Sequence, residues 1–409
     1  MVASFFRTED EMESFSWECR TKVRSGQGCV RQYLPGFINE YAAPGKKLMI
    51  GYGGGSIKKN GAYDDVLAAA ADAGYTPADI VEFPGIMSNP TLSKMLEGCE
   101  LARSNNVGLI IAVGGGSVMD CCKAIAIQMN YEGDAWNDFW MEGKPMKHDI
   151  LPCGVVVTMP ATGSEVNGCA VLTNEATRIK CDRDYPEANP LFALLDPAYT
   201  LTMPLRQLKA GTFDILSHIM ETYFSFPEEG NPADDISEGL MRGLIRDFRA
   251  ALKDPEDIAA RSNIMWTASL AENRIIKTGK SKDFQAHNME HQLSAYTDCN
   301  HGEGLAVLHP VYYRHIYKDG LRKFASFAEN VWGLDRNAYD SDEAFALAGV
   351  DALADFIREV GLPGSLRELG FGEKEKELLP EIAESCFISG GAFRPLTHQE
   401  ILEIYNECW

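Results

Sequence analysis

The sequence predicts an α/β N-terminal domain, a parallel sheet flanked by helices, joined to an all-α C-terminal domain with a cleft between them. Three observations carry this expectation. Up to about residue 200, short apolar runs alternate with amphipathic stretches of helical length, the pattern of βαβ units around a parallel sheet. After Pro204 the strand-like runs stop and only helical periodicity continues. Two strands of the first half also run straight into glycine triplets. The expected domains are residues 1–200 and 201–409, with the boundary between Asp196 and Pro204.

The elements follow in chain order. Leu48-Met49-Ile50 reads as a strand entering a glycine cluster, and Tyr63 to Ala73 as a helix closed by Gly74. Asp79 to Phe83 is a second strand and Thr91 to Asn105 a second helix. Leu109 to Val113 is a buried strand followed by glycines and a helix reaching Asn130. Gly154 to Thr158 and Phe192 to Asp196 are further strands. Beyond Pro204, Arg206 to Phe226, Asp234 to Leu252, Asp257 to Lys277 and Ala344 to Val360 carry helical periodicity, with Pro227, Pro232, Pro255 and Pro363 falling between them.

Composition narrows the function. The chain has 409 residues, and 38 Lys plus Arg against 59 Asp plus Glu give a formal charge of −21. Binding to a phosphate backbone needs a basic face that releases counterions, so nucleic acid is not an expected partner. The first ten residues lack the basic and apolar regions of a signal peptide, and no apolar run approaches the ~18 residues of a membrane span. The C-terminal Tyr405 to Trp409 is not a prenylation signal. Eleven scattered cysteines without a C-x-x-C pair read as free thiols in a reducing cytoplasm.

The glycine turns point to a nucleotide. Gly53-Gly54-Gly55-Ser56 and Gly114-Gly115-Gly116-Ser117 each follow a buried strand. Without Cβ atoms, backbone N–H groups can close on a pyrophosphate at a helix N-terminus. A tight strand-to-helix turn explains either triplet alone; two of one design, each leading from a buried strand, favour a nucleotide site. Neither fits G-x-G-x-x-G with an acid on the next strand, so the usual Rossmann fingerprint is not satisfied. A third loop, Thr158 to Glu165, brings hydroxyls to the same end of the sheet, although Thr162 or Ser164 could simply cap a helix.

A metal constellation occupies the second half. Asp214 and His218 lie four apart, as do His287 and His291, and His301 follows ten residues later. The i, i+4 spacing puts each pair on one helix face. A capping or surface histidine accounts best for any single pair, but four of only eight histidines fall in these windows. A carboxylate with several imidazoles suits Zn²⁺ or Fe²⁺, with a position left for substrate.

Together these residues resemble the iron-containing (type III) alcohol dehydrogenase family, and most of all its butanol dehydrogenase and broad-range NADPH-dependent aldehyde reductase branch. The resemblance rests on Gly53 to Lys59, Gly114 to Asp120, Pro160 to Glu165 and Leu195-Asp196-Pro197, in order and spacing, from about Thr21 nearly to the C-terminus. It implies an NADP(H)-dependent oxidoreductase acting on small primary alcohols or aldehydes, with one divalent ion, Fe²⁺ or Zn²⁺, as Lewis acid on the substrate oxygen. By the same resemblance the ligands are Asp214, His218, His287 and His301. His291 lies beside the nicotinamide, where it relays a proton or only packs. The pyrophosphate falls on Gly115, Gly116 and Ser117 with Asp120 nearby, and Thr158, Thr162 and Lys180 hold the nicotinamide half. A homodimer or larger assembly is implied as well. The chain departs from the family in a longer, more acidic start and in Tyr296 to Asn300.

Two other readings stand beside this one: an NAD-dependent glycerol or polyol dehydrogenase of the same superfamily, and a dinucleotide sensor that has kept the fold without catalysis. A phosphorylated substrate is disfavoured, because no Lys/Arg cluster flanks the metal windows. For the nucleotide, an NAD site commonly places a carboxylate at the adenine ribose. The first glycine turn offers Gly53, Gly54, Gly55 and Ser56 with Lys58 and Lys59 behind them, an uncharged cradle with a nearby cation that favours NADP(H).

Overall fold

The computed structural model describes residues 14–409. Residues 1–13, which include most of the acidic start and the beginning of the expected first domain, lie outside the described residues. The first half contains, in order, β1 (Lys22–Ser25), α1 (Cys29–Tyr41), β2 (Lys47–Tyr52), α2 (Ala62–Asp72), β3 (Ile80–Phe83), α3 (Leu92–Ser104), β4 (Val107–Gly114), α4 (Gly116–Met129), β5 (Cys153–Val157), β6 (Cys169–Asn174), β7 (Ile179–Asp184) and β8 (Phe192–Leu195). Six strands form one sheet in the order β1-β8-β5-β4-β2-β3, every pair parallel.

A sheet covered on both faces needs strands that are apolar at every position. β4 supplies this with Leu109, Ile111 and Val113 packed toward α1 and α2, and Ile110 and Ala112 toward α3 and α4. Its neighbours divide alike: Leu48 and Ile50 of β2 join the first face, Met49 the second. The chain leaves β2 for β3 on one side and leaves β4 for β5 on the other, although β2 and β4 are adjacent. This reversal opens a crevice at the carboxyl ends of the two strands, where open α/β sheets bind ligands. Both glycine triplets lie there.

The second half is helical. α5 (Leu205–Tyr223), α6 (Pro232–Lys253), α7 (Ile258–Glu272), α8 (Gln285–Thr297), α9 (His301–Ile316), α10 (Leu321–Asn330), α11 (Asp342–Glu359), α12 (Glu373–Ser385) and α13 (His398–Glu407) enclose one core, with α5 buried almost throughout from Leu208 onward. Among the described residues no helix is long and apolar enough to cross a membrane.

Several expectations need correction. The antiparallel pair β6–β7 is not among the expected elements; β6 is a short uncharged run, β7 mixes charged and apolar residues, and the chain turns between them through Arg178 in a left-handed conformation. β1 is mostly exposed and carries no apolar pattern. The helix expected over Asp257 to Lys277 ends at Glu272, because Arg274 adopts a left-handed φ of 69°. Neither Thr162 nor Ser164 caps a helix. Gly163 turns the chain left-handed, a short 3₁₀ turn follows at Ser164–Val166, and the Ser164 hydroxyl instead donates to Asp120 at 2.5 Å.

Candidate metal centre and nucleotide cleft

Three helix segments bring the candidate ligands together. On α5, Asp214 and His218 face one way, and the His218 Nδ1–H donates to the Asp214 carbonyl at 2.7 Å. At the start of α8 the Glu221 carboxylate accepts the N–H groups of Ala286 and His287 at 2.7 and 3.3 Å and also binds His287 Nδ1. A carboxylate at a helix N-terminus is favoured by the helix dipole, so the contact that starts α8 also aims His287. α9 begins at His301 because Asn300 Oδ1 caps it through the Glu303 N–H at 3.1 Å. His301 Nδ1 in turn binds the Glu290 carboxylate.

Each imidazole thus spends Nδ1 on an oxygen and keeps Nε2 for the centre, the arrangement that orients metal-binding histidines. His301 Nε2 and His287 Nε2 stand 3.5 and 3.7 Å from Asp214 Oδ1. The His218 and His287 rings lie 4.4 Å apart, centre to centre, and those of His287 and His301 5.1 Å. Asp214 Oδ1 and His287 Nε2 are buried without a hydrogen-bond partner among the described residues. Buried polar atoms are rarely left so, and a cation between them would satisfy both. Burial pushes the Asp214 carboxyl up, but the neighbouring His218 and His301 more than reverse this and hold it well below the usual range. Burial lowers His287, yet Glu221 and Asp214 raise it to about 10.

A second carboxylate and imidazole group, Glu290, His291 and His301, is also compact enough to hold an ion. Its Glu290 oxygen is already taken by His301 Nδ1, which marks Glu290 as a support for a ligand. The His291 ring, 5.6 Å from that of His301, takes no hydrogen-bond partner among the described residues and lines the cleft. Burial first, then the positive charge of Lys180 and the other histidines, holds it well below its ordinary pKa, so it rests neutral.

Two cavities meet at this centre. One, of about 260 Å³, runs from Gly116 and Ser117 past Thr162 to Asp214 and His301. The other, of about 350 Å³, joins Asp120, Thr162 and Ser164 to His218, His287 and His291. Gly116 allows the close approach: a Cβ there would stand 2.0 Å from the Thr162 hydroxyl oxygen. Gly115 likewise backs onto Met159, and Thr158 holds the third loop against the second glycine turn through its N–H and the Gly114 carbonyl at 3.0 Å. Asp120 is buried beside Lys123 and accepts from Ser164 and the Val171 N–H. Lys180 on β7 is buried at the mouth of a smaller cavity shared with His291 and His301.

The first glycine turn lies apart from these cavities, on the neighbouring strand end. Cβ atoms at Gly54 and Gly55 would meet nothing within 4 Å, leaving that cradle open, whereas one at Gly53 would press the Ile86 carbonyl at 3.2 Å. Ser56 begins a 3₁₀ turn that carries Lys58. Lys58 is not the free cation that the sequence suggests. It pairs with Glu82 of β3 at 3.3 Å and lies 4.3 Å over the Tyr63 ring, while Glu82 also accepts the Tyr52 and Tyr63 hydroxyls.

Sequence reasoning missed Glu221 and Glu290. Both repeat a visible spacing, since Asp214, His218 and Glu221 share one face of α5, and His287, Glu290, His291 and Ser294 one face of α8.

Fold and site together define an α/β protein with a crevice beside its glycine turns and a metal-centre candidate in its helical half. The iron-containing alcohol dehydrogenase family matches residues 20–197, and the Fe-containing alcohol dehydrogenase C-terminal family residues 209–409. The chain belongs to the iron-containing alcohol dehydrogenase family, and it is an oxidoreductase of the alcohol dehydrogenase type. It is 38% identical over 402 residues to NADH-dependent butanol dehydrogenase A of Clostridium acetobutylicum, covering 97% of this chain and 100% of that one. It is 33% identical over 398 residues to the NADPH-dependent aldehyde reductase YqhD of Escherichia coli, covering 97% and 99%. The structure of NADH-dependent butanol dehydrogenase A from Thermotoga maritima matches with a TM-score of 0.90 at 32% identity, covering 98% of this chain and 99% of that one.

Replacing His291 separates its role from that of the ligands. His291→Ala is expected to keep full metal content while turnover falls about tenfold to a hundredfold or its pH profile shifts. Metal analysis beside steady-state rates checks this, and loss of the metal would place His291 among the ligands.

Proposed function

We propose that the chain interconverts small primary aldehydes and alcohols with NADP(H), using one divalent ion, Fe²⁺ or Zn²⁺, on Asp214, His218, His287 and His301. The supporting observation is the pair of orphaned buried atoms, Asp214 Oδ1 and His287 Nε2, with the cavity from the second glycine turn reaching Asp214 and the second cavity reaching His287. When bound, the ion supplies Lewis acidity toward the substrate oxygen and the dinucleotide supplies or accepts the hydride. The chain's own groups do the rest. The backbone at Gly115, Gly116 and Ser117 binds the pyrophosphate at the N-terminus of α4. Asp120 lies near the pyrophosphate, Thr158, Thr162 and Lys180 orient the nicotinamide half, and Phe284 beside His218 and His287 narrows the cleft against water. His291, neutral and facing the cavity, relays the proton between substrate and solvent in either direction. Eleven free cysteines support a reducing compartment, the cytoplasm.

Unbranched aldehydes such as butanal are expected to be reduced more efficiently than butanol is oxidised, with broad tolerance of chain length. Nicotinamide absorbance with butanal, butanol and glycerol tests this. Strong turnover of glycerol without butanal would favour the polyol reading, and nucleotide binding without any turnover the sensor reading.

The cofactor choice rests on the first turn. The relatives' names divide between NADH and NADPH. Here Gly54 and Gly55 are open, Ser56 can donate, and the Glu82 carboxylate is engaged by Lys58 and two phenols. The expected preference is NADPH over NADH by at least about tenfold in kcat/KM, or about 1.4 kcal/mol. Gly53→Asp should erode it, and Gly54→Asp, which meets no neighbour, should do so without crowding. Equal efficiency in the unaltered protein would defeat the argument.

A further inference from the structure

The proposed chemistry leaves Glu290 unused, yet it is among the most enclosed charges in the protein, fully buried on α8 between His287 and His291. Oε2 accepts from His301 Nδ1 and lies 3.5 Å from Lys180 Nζ. Oε1 accepts the Ser294 hydroxyl at 2.7 Å. Lys180 donates to the same Ser294 at 2.9 Å and to Asn89 Oδ1 at 3.0 Å. Asn89 then donates to Asp298 at 2.7 Å, three residues before His301. His301, Glu290, Lys180, Asn89 and Asp298 thus close a ring that crosses from the helical half to the β-hairpin half and back. Gly304 leaves room for it, since a Cβ there would stand 2.9 Å from Glu290 Cγ. Burial pushes the Glu290 carboxyl up, but His301 and Lys180 reverse this and hold it down at about 2.

We propose that Glu290 is a positioning residue that ties the candidate metal ligand His301 to the nucleotide-side Lys180, so that the metal and the nicotinamide nucleotide bind with positive cooperativity. This rests on the functional reading above. A cation on His301 Nε2 makes its Nδ1–H a stronger donor, which fixes the Glu290 carboxylate, and the fixed carboxylate holds the Lys180 ammonium in place. Ordering achieved by one ligand need not be repeated for the other, and by linkage the effect is reciprocal.

The experiment is a fluorescence titration of NADPH and of NADH into metal-stripped and Zn²⁺-loaded protein, with metal content and circular dichroism measured on each sample. In the unaltered protein the loaded form is expected to bind nucleotide at least about fivefold more tightly, within the usual range of such couplings. In Glu290→Gln that ratio should fall to within about twofold of unity. Lys180→Met keeps the Glu290–His301 contact, so it should retain metal and bind nucleotide more weakly in both states, again with the ratio lost. It carries the test if Glu290→Gln does not fold. A folded variant of either kind that keeps the ratio of the unaltered protein overturns the coupling, as does a ratio of one in unaltered protein that binds both ligands. Unaltered protein that binds no metal, or no nucleotide, would instead refute the functional reading, and the coupling with it.

Discussion

His287→Ala should lose nearly all bound metal and lower kcat/KM for aldehyde reduction by at least about a thousandfold, about 4 kcal/mol of transition-state stabilisation. Nε2 of this residue is buried without a partner among the described residues, and Nδ1 is bound to Glu221. Truncation therefore removes a donor from the middle of the site and also leaves a carboxylate facing a void. The fold should persist, because α8 is anchored on other residues, Ala286, Met289 and Leu293, within the helical core. Metal analysis and turnover with butanal check both expectations. Full occupancy with normal turnover would show that the ligand set is wrong.

Gly302→Ala is expected to damage the site from behind. Gly302 follows the candidate ligand His301, and a Cβ there would lie 2.1 Å from the Ala210 carbonyl oxygen of α5. The obstacle is backbone, so no side chain can swing aside. Either α9 moves off α5 or the first turn of α9 unwinds, and each displaces His301 from Asp214. Overpacking of this kind costs about 1–3 kcal/mol, and metal affinity should fall with it. Denaturant unfolding and metal titration of the variant measure the two effects. Unchanged stability and unchanged affinity would mean that the helices are less tightly opposed at this point than the structure shows.

The parts of this protein that can be read from its sequence are those whose reason is local. The run Leu109 to Val113 declares a strand buried on both faces, and Asp214 with His218 declares one helix face. The hairpin of β6 and β7 does not, because its strands alternate no simple pattern and are defined by pairing with each other. Glu221 and Glu290 look like ordinary acidic residues until the imidazole opposite each is known. Lys58 reads as a free cation because its partner, Glu82, arrives from the next strand, beyond any local window. The loop after β5 misleads differently: its hydroxyls suggest a cap, but Gly163 turns the backbone before a helix can form.

The register of β1 against β8, from Lys22 beside Phe192 to Ser25 beside Leu195, has a consequence for synthesis on the ribosome. The first described strand must wait, unpaired, until nearly half of the chain has emerged before its place in the sheet exists. Its exposed side chains, Lys22 and Arg24 among them, suit that interval, since charged strands resist premature pairing with other nascent chains. The candidate ligands emerge later still, Asp214 first and His301 last. An ion held by this set could therefore be fully enclosed only once His301 has emerged, by which time every strand of the sheet is already available for pairing.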